Sequence, residues 1–234
     1  MRPQKWLKKE KKMEKTINKK KIREMTILAM FIAIIAVLAL VPGMGFFVIG
    51  GISISYVHPV VMIGGVLLGK ALGRKAGIIL GTAMGVCSLI ASFYIISHFN
   101  NVFNYPWVSV LPRFLFGLII YDVTNFFCKI IKKRILAYMV SFFLLSIIHS
   151  LLVLPLLFIS YPLYYGATPF AEMMAMFSGE NQVMAGILFI SGIVLVEAVF
   201  SGIVGSVVAD RLQHFLDREE NEPTTKEEDN AGID

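Results

Sequence analysis

Long apolar stretches alternate with short polar connections along most of the chain. Six stretches are long enough, or nearly long enough, to cross a lipid bilayer: 26–50, 59–72, 75–97, 107–131, 135–160 and 183–209. Because about 20 apolar residues make one spanning helix, the pattern predicts an all-α integral membrane bundle of six transmembrane helices. The second stretch is short for a full crossing and should lean on its neighbours.

The basic residues test this division of the chain. All but one of the 22 Lys and Arg residues fall in four segments: 1–25, 70–75, 129–134 and the residues from 211 onward. With six spans these segments share one side of the membrane, as the positive-inside rule requires. We therefore expect both termini in the cytoplasm. The predicted organisation is a basic cytoplasmic N-terminal segment, a six-helix membrane domain and a polar acidic cytoplasmic tail: 1–25, 26–210 and 211–234.

Composition agrees with a bilayer environment. Hydrophobic residues make up 56% of the chain, charged residues 16%, and the mean hydropathy is +0.72, too apolar for a soluble domain. The net charge of +6 would fit nucleic acid, but half of the basic residues adjoin the first span. That placement indicates a topology signal and contact with lipid headgroups. We therefore do not expect nucleic-acid binding. Cys87 and Cys128 are expected to be reduced packing residues.

Motifs for covalent chemistry are missing from the sequence. The stretch Gly64–Ala71 is close to a phosphate-binding loop but lacks Ser or Thr after Lys70 and lies in an apolar stretch, so we reject it. Neither His-Glu-x-x-His nor Gly-x-Ser-x-Gly occurs. We expect no enzymatic activity, catalytic residue, metal or cofactor. Small residues at four-residue steps predict closely packed helices: Gly65, Gly69, Gly73, Gly77, Gly81 and Gly85.

Apart from Tyr, Cys and the Lys residues at span ends, four ionisable residues lie within the predicted spans: Arg113, Asp122, His149 and Glu197. Such groups are costly in hydrocarbon and normally face a cavity or a partner, so each is a candidate site residue. Pairing with a neighbour is the alternative interpretation for Asp122 and Glu197. A hydrogen-bonded core position is the alternative for His149.

Arg113 is the single basic residue outside the cytoplasmic set. Pro112 precedes it and should free backbone groups in the first turn of its helix. A guanidinium near an outward-facing cavity is suited to binding a carboxylate, so we expect an anionic ligand. Other polar and aromatic residues predicted on the same outer side could complete a pocket: Tyr56, His58, Asn104 and Trp107.

Four runs of sequence resemble a known family: Ser53–Pro59, Ile63–Gly69, Ala76–Gly81 and Val108–Gly117. They look like the membrane-embedded S components of energy-coupling factor (ECF) transporters, in the branch with pantothenate-type members. The resemblance covers about residues 25 to 210. It implies a binding subunit in a bacterial cell membrane that captures a vitamin from outside. Its partners would be a transmembrane coupling subunit and two cytoplasmic ATPase subunits.

The resemblance also assigns residues. Ala29 and Ala33 match in spacing and place an alanine motif that docks on the coupling subunit. Arg113, His58 and Glu197 match positions associated with ligand binding or pocket structure. The basic N-terminal extension and the acidic tail depart from the family core, and the segment 146–150 matches only loosely.

These observations predict an S component for a small anionic vitamin, with pantothenate as the leading candidate. One alternative is an S component for another vitamin such as riboflavin. A second is a stand-alone secondary transporter with an ion pathway through Asp122, His149 and Glu197. A third is an intramembrane enzyme that depends on Glu197 or His149.

Overall fold

A computed structural model describes residues 4–49, 52–94, 100–166 and 182–221. This part of the chain is helical apart from one short hairpin, as the all-α prediction expects. The helices are α1 (Gln4–Leu40), α2 (Val57–Leu67), α3 (Gly69–Leu72), α4 (Arg74–Ser92), α5 (Pro106–Ser109), α6 (Leu111–Ile130), α7 (Arg134–Tyr165), α8 (Gln182–Phe200) and α9 (Ser206–Asn221). A 3-10 turn spans Asn100–Asn104, and a π-helical turn, Ser201–Gly205, joins α8 to α9.

Within the described residues, five helical segments are long and apolar enough to cross a membrane: Ile17–Leu40, Arg74–Ser92, Pro106–Ile130, Arg134–Tyr165 and Ile190–Glu219. The predicted span 59–72 instead corresponds to α2 and α3, which are separated at Leu68. With 11 residues, α2 is roughly 16 Å long, about half the thickness of the hydrocarbon core. The structure therefore supports a multi-pass membrane protein with five helices of spanning length and one shorter apolar helix.

The short helix α2 forms the centre of the bundle. All of its residues except Val60 are buried. Its side chains join one hydrophobic core with Phe116 and Ile120 of α6 and with Phe142 and Leu145 of α7. Because α2 is surrounded by protein, it does not have to reach both membrane surfaces.

The first predicted span, 26–50, is too long. Helix α1 ends at Leu40, and a hairpin follows in which β1 (Phe46–Ile49) pairs antiparallel with β2 (Ile52–Ser55). Pro42 lies just after the helix, and Gly43 has a positive φ of 79° that few other residues adopt. Phe46 and Phe47 are therefore strand residues instead of the end of a helix.

Glycines allow α4 and α6 to pack backbone against backbone. A Cβ atom at Gly77 or Gly81 would overlap carbonyl oxygens of α6, at Gly117 and Arg113 respectively. At Gly85 it would lie 2.8 Å from the Cα of Val110. The prediction of close helix packing is confirmed for this pair. Gly73 plays another part, because it has a φ of 58° in the turn between α3 and α4.

Charged residues join the helices at one end of the bundle. Lys70 pairs with Asp217 at 2.9 Å, and Arg134 pairs with Asp210 at 2.7 Å and with Asp217 at 2.8 Å. These contacts hold α9, which continues to Asn221 and so extends into the segment predicted as a tail. The rest of that tail, 222–234, lies outside the described residues, as do parts of the predicted connections 98–106 and 161–182.

Candidate binding site around Arg113

Arg113 lies in the first turn of α6, where its side chain folds back over the break between α5 and α6. Its Nη1 donates to the carbonyl oxygens of Val108 and Ser109, both at 2.9 Å. Pro112 has no N–H to donate to the carbonyl of Val108, four residues earlier. The guanidinium therefore takes the place of a missing backbone donor, in line with the freed groups that Pro112 predicts.

The charge of Arg113 is buried without a carboxylate in the described part of the chain. The residue is 6% exposed, and its Nε has no hydrogen-bond partner among the described residues. The ion pairs found among residues 4–49, 52–94, 100–166 and 182–221 involve Lys70, Arg74 and Arg134, never Arg113. The guanidinium carbon lies 4.8 Å from the ring centroid of Phe103, a cation–π contact. A buried cation with neutral neighbours favours an anionic partner.

Two histidines stack in the same half of the bundle. The rings of His58 and His149 are 5.0 Å apart between centroids and 10° from parallel. Phe116, one turn along α6 from Arg113, contacts the His149 ring edge-on at 4.9 Å. Since Arg113 and Phe116 are buried on one face of α6, that face joins the guanidinium to the histidine pair.

His58 and His149 each have a buried nitrogen without a hydrogen-bond partner in the described part of the chain. His58 is fully buried, and its Nε2 lies 3.0 Å from the hydroxyl oxygens of both Ser146 and Ser201. Its Nδ1 and the Nε2 of His149 have no hydrogen-bond partner in the structure. When the Nε2 of His58 accepts from a serine, the proton is on Nδ1, which becomes a donor. With the Nε of Arg113, three buried nitrogens of this region lack a hydrogen-bond partner among the described residues.

Glu197 and Tyr56 lie at the hairpin, apart from Arg113. The Glu197 carboxylate accepts a 2.9 Å hydrogen bond from the backbone N–H of Ser55, which attaches α8 to the end of β2. Tyr56 follows Ser55, and its backbone N–H donates to the carbonyl of Gly45. Both residues hold the entry to α2 and so position His58.

Asn104 and Trp107 also make structural contacts. The Asn104 side-chain oxygen accepts from the Ser92 hydroxyl at 2.7 Å, which joins the 3-10 turn to the end of α4. Trp107 donates from Nε1 to the Ser160 hydroxyl at 3.1 Å and stacks on Tyr105. The structure thus brings Arg113, His58 and His149 into one region and places the other predicted residues at its edges.

The remaining sequence candidates lie elsewhere. Asp122 pairs with Arg74 at 2.8 Å, and both side chains are largely exposed to the outside of the bundle. Ala29 and Ala33 are exposed on α1, on a face that the described part of the chain leaves uncovered. Sequence reasoning did not single out Phe103, Ser146 or Ser201 as site residues. Ser146 could have been found, because it lies three residues before His149 and so on the same helix face.

A multi-pass helical membrane protein with a buried polar centre is the class that these observations define. Comparison with protein-family models gives no match, and a search of curated proteins gives none either. The assignment to a particular family therefore depends on the sequence resemblance.

Proposed function

We propose that the chain is the substrate-binding subunit of an ATP-driven ECF transporter and binds a small anionic vitamin. Pantothenate is the leading candidate. The observation that carries the proposal is the buried Arg113, whose charge has no carboxylate partner among the described residues. A ligand carboxylate would supply the missing countercharge.

The histidine pair supports this choice of ligand. Pantothenate combines a carboxylate with hydroxyl and amide groups, and the unused nitrogens of His58 and His149 can hydrogen-bond such groups. Ser146 and Ser201 hold His58 in place. A flat tricyclic vitamin such as riboflavin would call for more stacking surface than the Phe116 and His149 rings offer.

The transport partners in this proposal come from the family resemblance. The exposed Ala29 and Ala33 would form part of the surface that meets the coupling subunit. The basic end would face the cytoplasm and Arg113 the outside. A secondary-transport pathway through Asp122 and Glu197 finds less support, because Asp122 pairs with Arg74 and Glu197 binds the hairpin backbone.

The test compares pantothenate with the alcohol in which CH₂OH replaces its carboxylate. Calorimetry on the detergent-purified wild-type chain should show the acid binding about tenfold to a hundredfold more tightly, since a hydrogen bond to a charged group contributes about 1.5–3 kcal/mol. Arg113→Gln should remove that discrimination while the alcohol still binds. This comparison separates loss of carboxylate recognition from loss of folding.

Arg74→Gln is the matched control, since it removes a positive charge that is exposed and already paired. It should leave both affinities unchanged. Riboflavin, folate and pyridoxine are titrated alongside. Tight binding of one of these in place of pantothenate would make the substrate assignment wrong, and no binding of any vitamin would overturn the proposed function.

A further inference from the structure

A second polar site lies at the basic end of the bundle, remote from Arg113. It is a cavity of about 130 Å³ between α1, the α2–α3 junction and α9. Its polar wall consists of Lys20, Arg23, Glu24, Lys70 and Gln213. We refer to it as the interfacial cavity, and its volume is well above the space that one water needs.

Two buried polar atoms on this wall have no hydrogen-bond partner in the part of the chain that the structure describes. Gln213 is only 3% exposed, and its Nε2 donates to Asp217 at 2.9 Å, but its Oε1 accepts from no donor in the described residues. The Nε of Arg23 is likewise buried without an acceptor. Unsatisfied buried groups are costly, so both atoms favour a ligand with complementary groups.

One of the two atoms is a hydrogen-bond donor and the other an acceptor, so a single ligand must offer both an acceptor and a donor. Arg23 requires an acceptor, and because its guanidinium is charged the acceptor is best an anion such as a phosphate diester. Gln213 Oε1 requires a donor, for example an alcohol hydroxyl. Lys70 adds little net charge, because Asp217 already neutralises it at 2.9 Å.

The other half of the cavity is apolar, with Ile27, Leu67 and Leu216 among its lining residues. A free phosphate ion has no apolar groups to pack against these residues, whereas the glycerol backbone and first acyl carbons of a lipid would cover them. The cavity also lies at the end of Ile17–Leu40, a membrane-spanning segment, where headgroups occur.

We propose that the interfacial cavity binds an anionic phospholipid with a hydroxyl-bearing headgroup, of the phosphatidylglycerol type. The phosphate accepts a hydrogen bond from Arg23, and a headgroup hydroxyl donates to Gln213. The lipid thereby connects α1 to α9. This inference is independent of the vitamin and of the family.

Native mass spectrometry of the full chain, titrated with lipid from detergent, tests the proposal. Phosphatidylglycerol should bind at least tenfold more tightly than phosphatidylcholine. Arg23→Gln should weaken phosphatidylglycerol about tenfold or more, because it removes a charge-assisted hydrogen bond. Arg74→Gln, which removes a charge from an exposed pair at the same end, should have little effect.

The role of Gln213 is tested with phosphatidic acid, which has the phosphate without the glycerol hydroxyls. Wild type should prefer phosphatidylglycerol, and Gln213→Leu should remove that preference.

Unchanged melting temperatures in lipid-free detergent verify that each variant folds. If inorganic phosphate or glycerol phosphate displaces the lipid at comparable concentration, the ligand is soluble and the lipid proposal is overturned. Equal losses in Arg23→Gln and Arg74→Gln would show diffuse charge attraction and also overturn it.

Discussion

One imidazole nitrogen of His58 meets two serine hydroxyls, from Ser146 on α7 and from Ser201 after α8. Nε2 has either one proton or one lone pair, so a single serine satisfies it at any moment. If one serine is removed, the hydroxyl of the other can still hydrogen-bond Nε2. Because His58 is fully buried, losing both would leave the nitrogen without a partner in an apolar interior.

We therefore predict non-additive effects on the free energy of unfolding. Ser146→Ala and Ser201→Ala should each cost about 0.6 kcal/mol, typical of a hydrogen bond between membrane helices. The double variant should cost about 2 kcal/mol or more, since it leaves a buried polar atom unsatisfied. Unfolding in mixed micelles measures these values. Ser141→Ala is the control, because Ser141 is equally buried but donates to Ala137 within its own helix. Strict additivity of the pair would contradict the shared-partner account.

Sequence reasoning could find the charged members of the candidate site but not its arrangement. Arg113 and His149 stand out because ionisable groups are rare in apolar stretches. Whether such a group is buried depends on its helix neighbours, and Asp122 is instead at the bundle end beside Arg74. Phe103 could not be singled out, since its contact with Arg113 arises only when the 3-10 turn folds against α6.

At the scale of elements, the contact between α4 and α6 determines where Arg113 sits. Gly81 faces the backbone of Arg113 itself, so any side chain at position 81 pushes against the start of α6. Backbone atoms cannot rotate away as side chains do. The spacing of the helices therefore depends on the lack of a Cβ at this position.

Gly81→Ala should lower the free energy of unfolding by about 1–3 kcal/mol, the usual cost of overpacking. Gly192→Ala should be neutral or slightly stabilising, because Gly192 is helical and has no atom within 4 Å of the added Cβ. The Gly81 variant should also weaken vitamin binding, because Arg113 shifts with its helix. Equal stability of the two variants would mean that α4 and α6 do not pack as closely as described.

Element boundaries were predictable where one physical signal dominates. Apolar length located α4, α6 and α7 to within a few residues. The same signal misassigned residues 46–50, because strand and helix residues are equally apolar in a membrane protein. The shortness of 59–72 correctly indicated a helix that packs against its neighbours, but it gave no sign of the break at Leu68.

In the whole molecule, the four basic segments and the candidate site around Arg113 lie at opposite ends of the bundle. The pairs of Lys70 and Arg134 with Asp217 mark one end, together with the interfacial cavity. From Arg23 to Leu40, α1 runs roughly 26 Å towards the other end, where the hairpin and Glu197 lie. If basic residues face the cytoplasm, the histidine pair and Arg113 belong to the outer half of the membrane.

Single cysteines can test that orientation, in a background in which Cys87 and Cys128 are replaced by alanine. Met44→Cys lies in the exposed turn after α1, and Lys132→Cys lies in the exposed connection between α6 and α7. A maleimide that cannot cross membranes should label position 44 from outside intact cells and position 132 only in inverted vesicles. The reverse result would turn Arg113 toward the cytoplasm and remove the basis for capture from outside. If α2 and α3 together cross the membrane, three crossings separate the two positions, which then lie on opposite sides. Labelling of both positions from one side would mean an even number of crossings, so α2 and α3 would not form a sixth span.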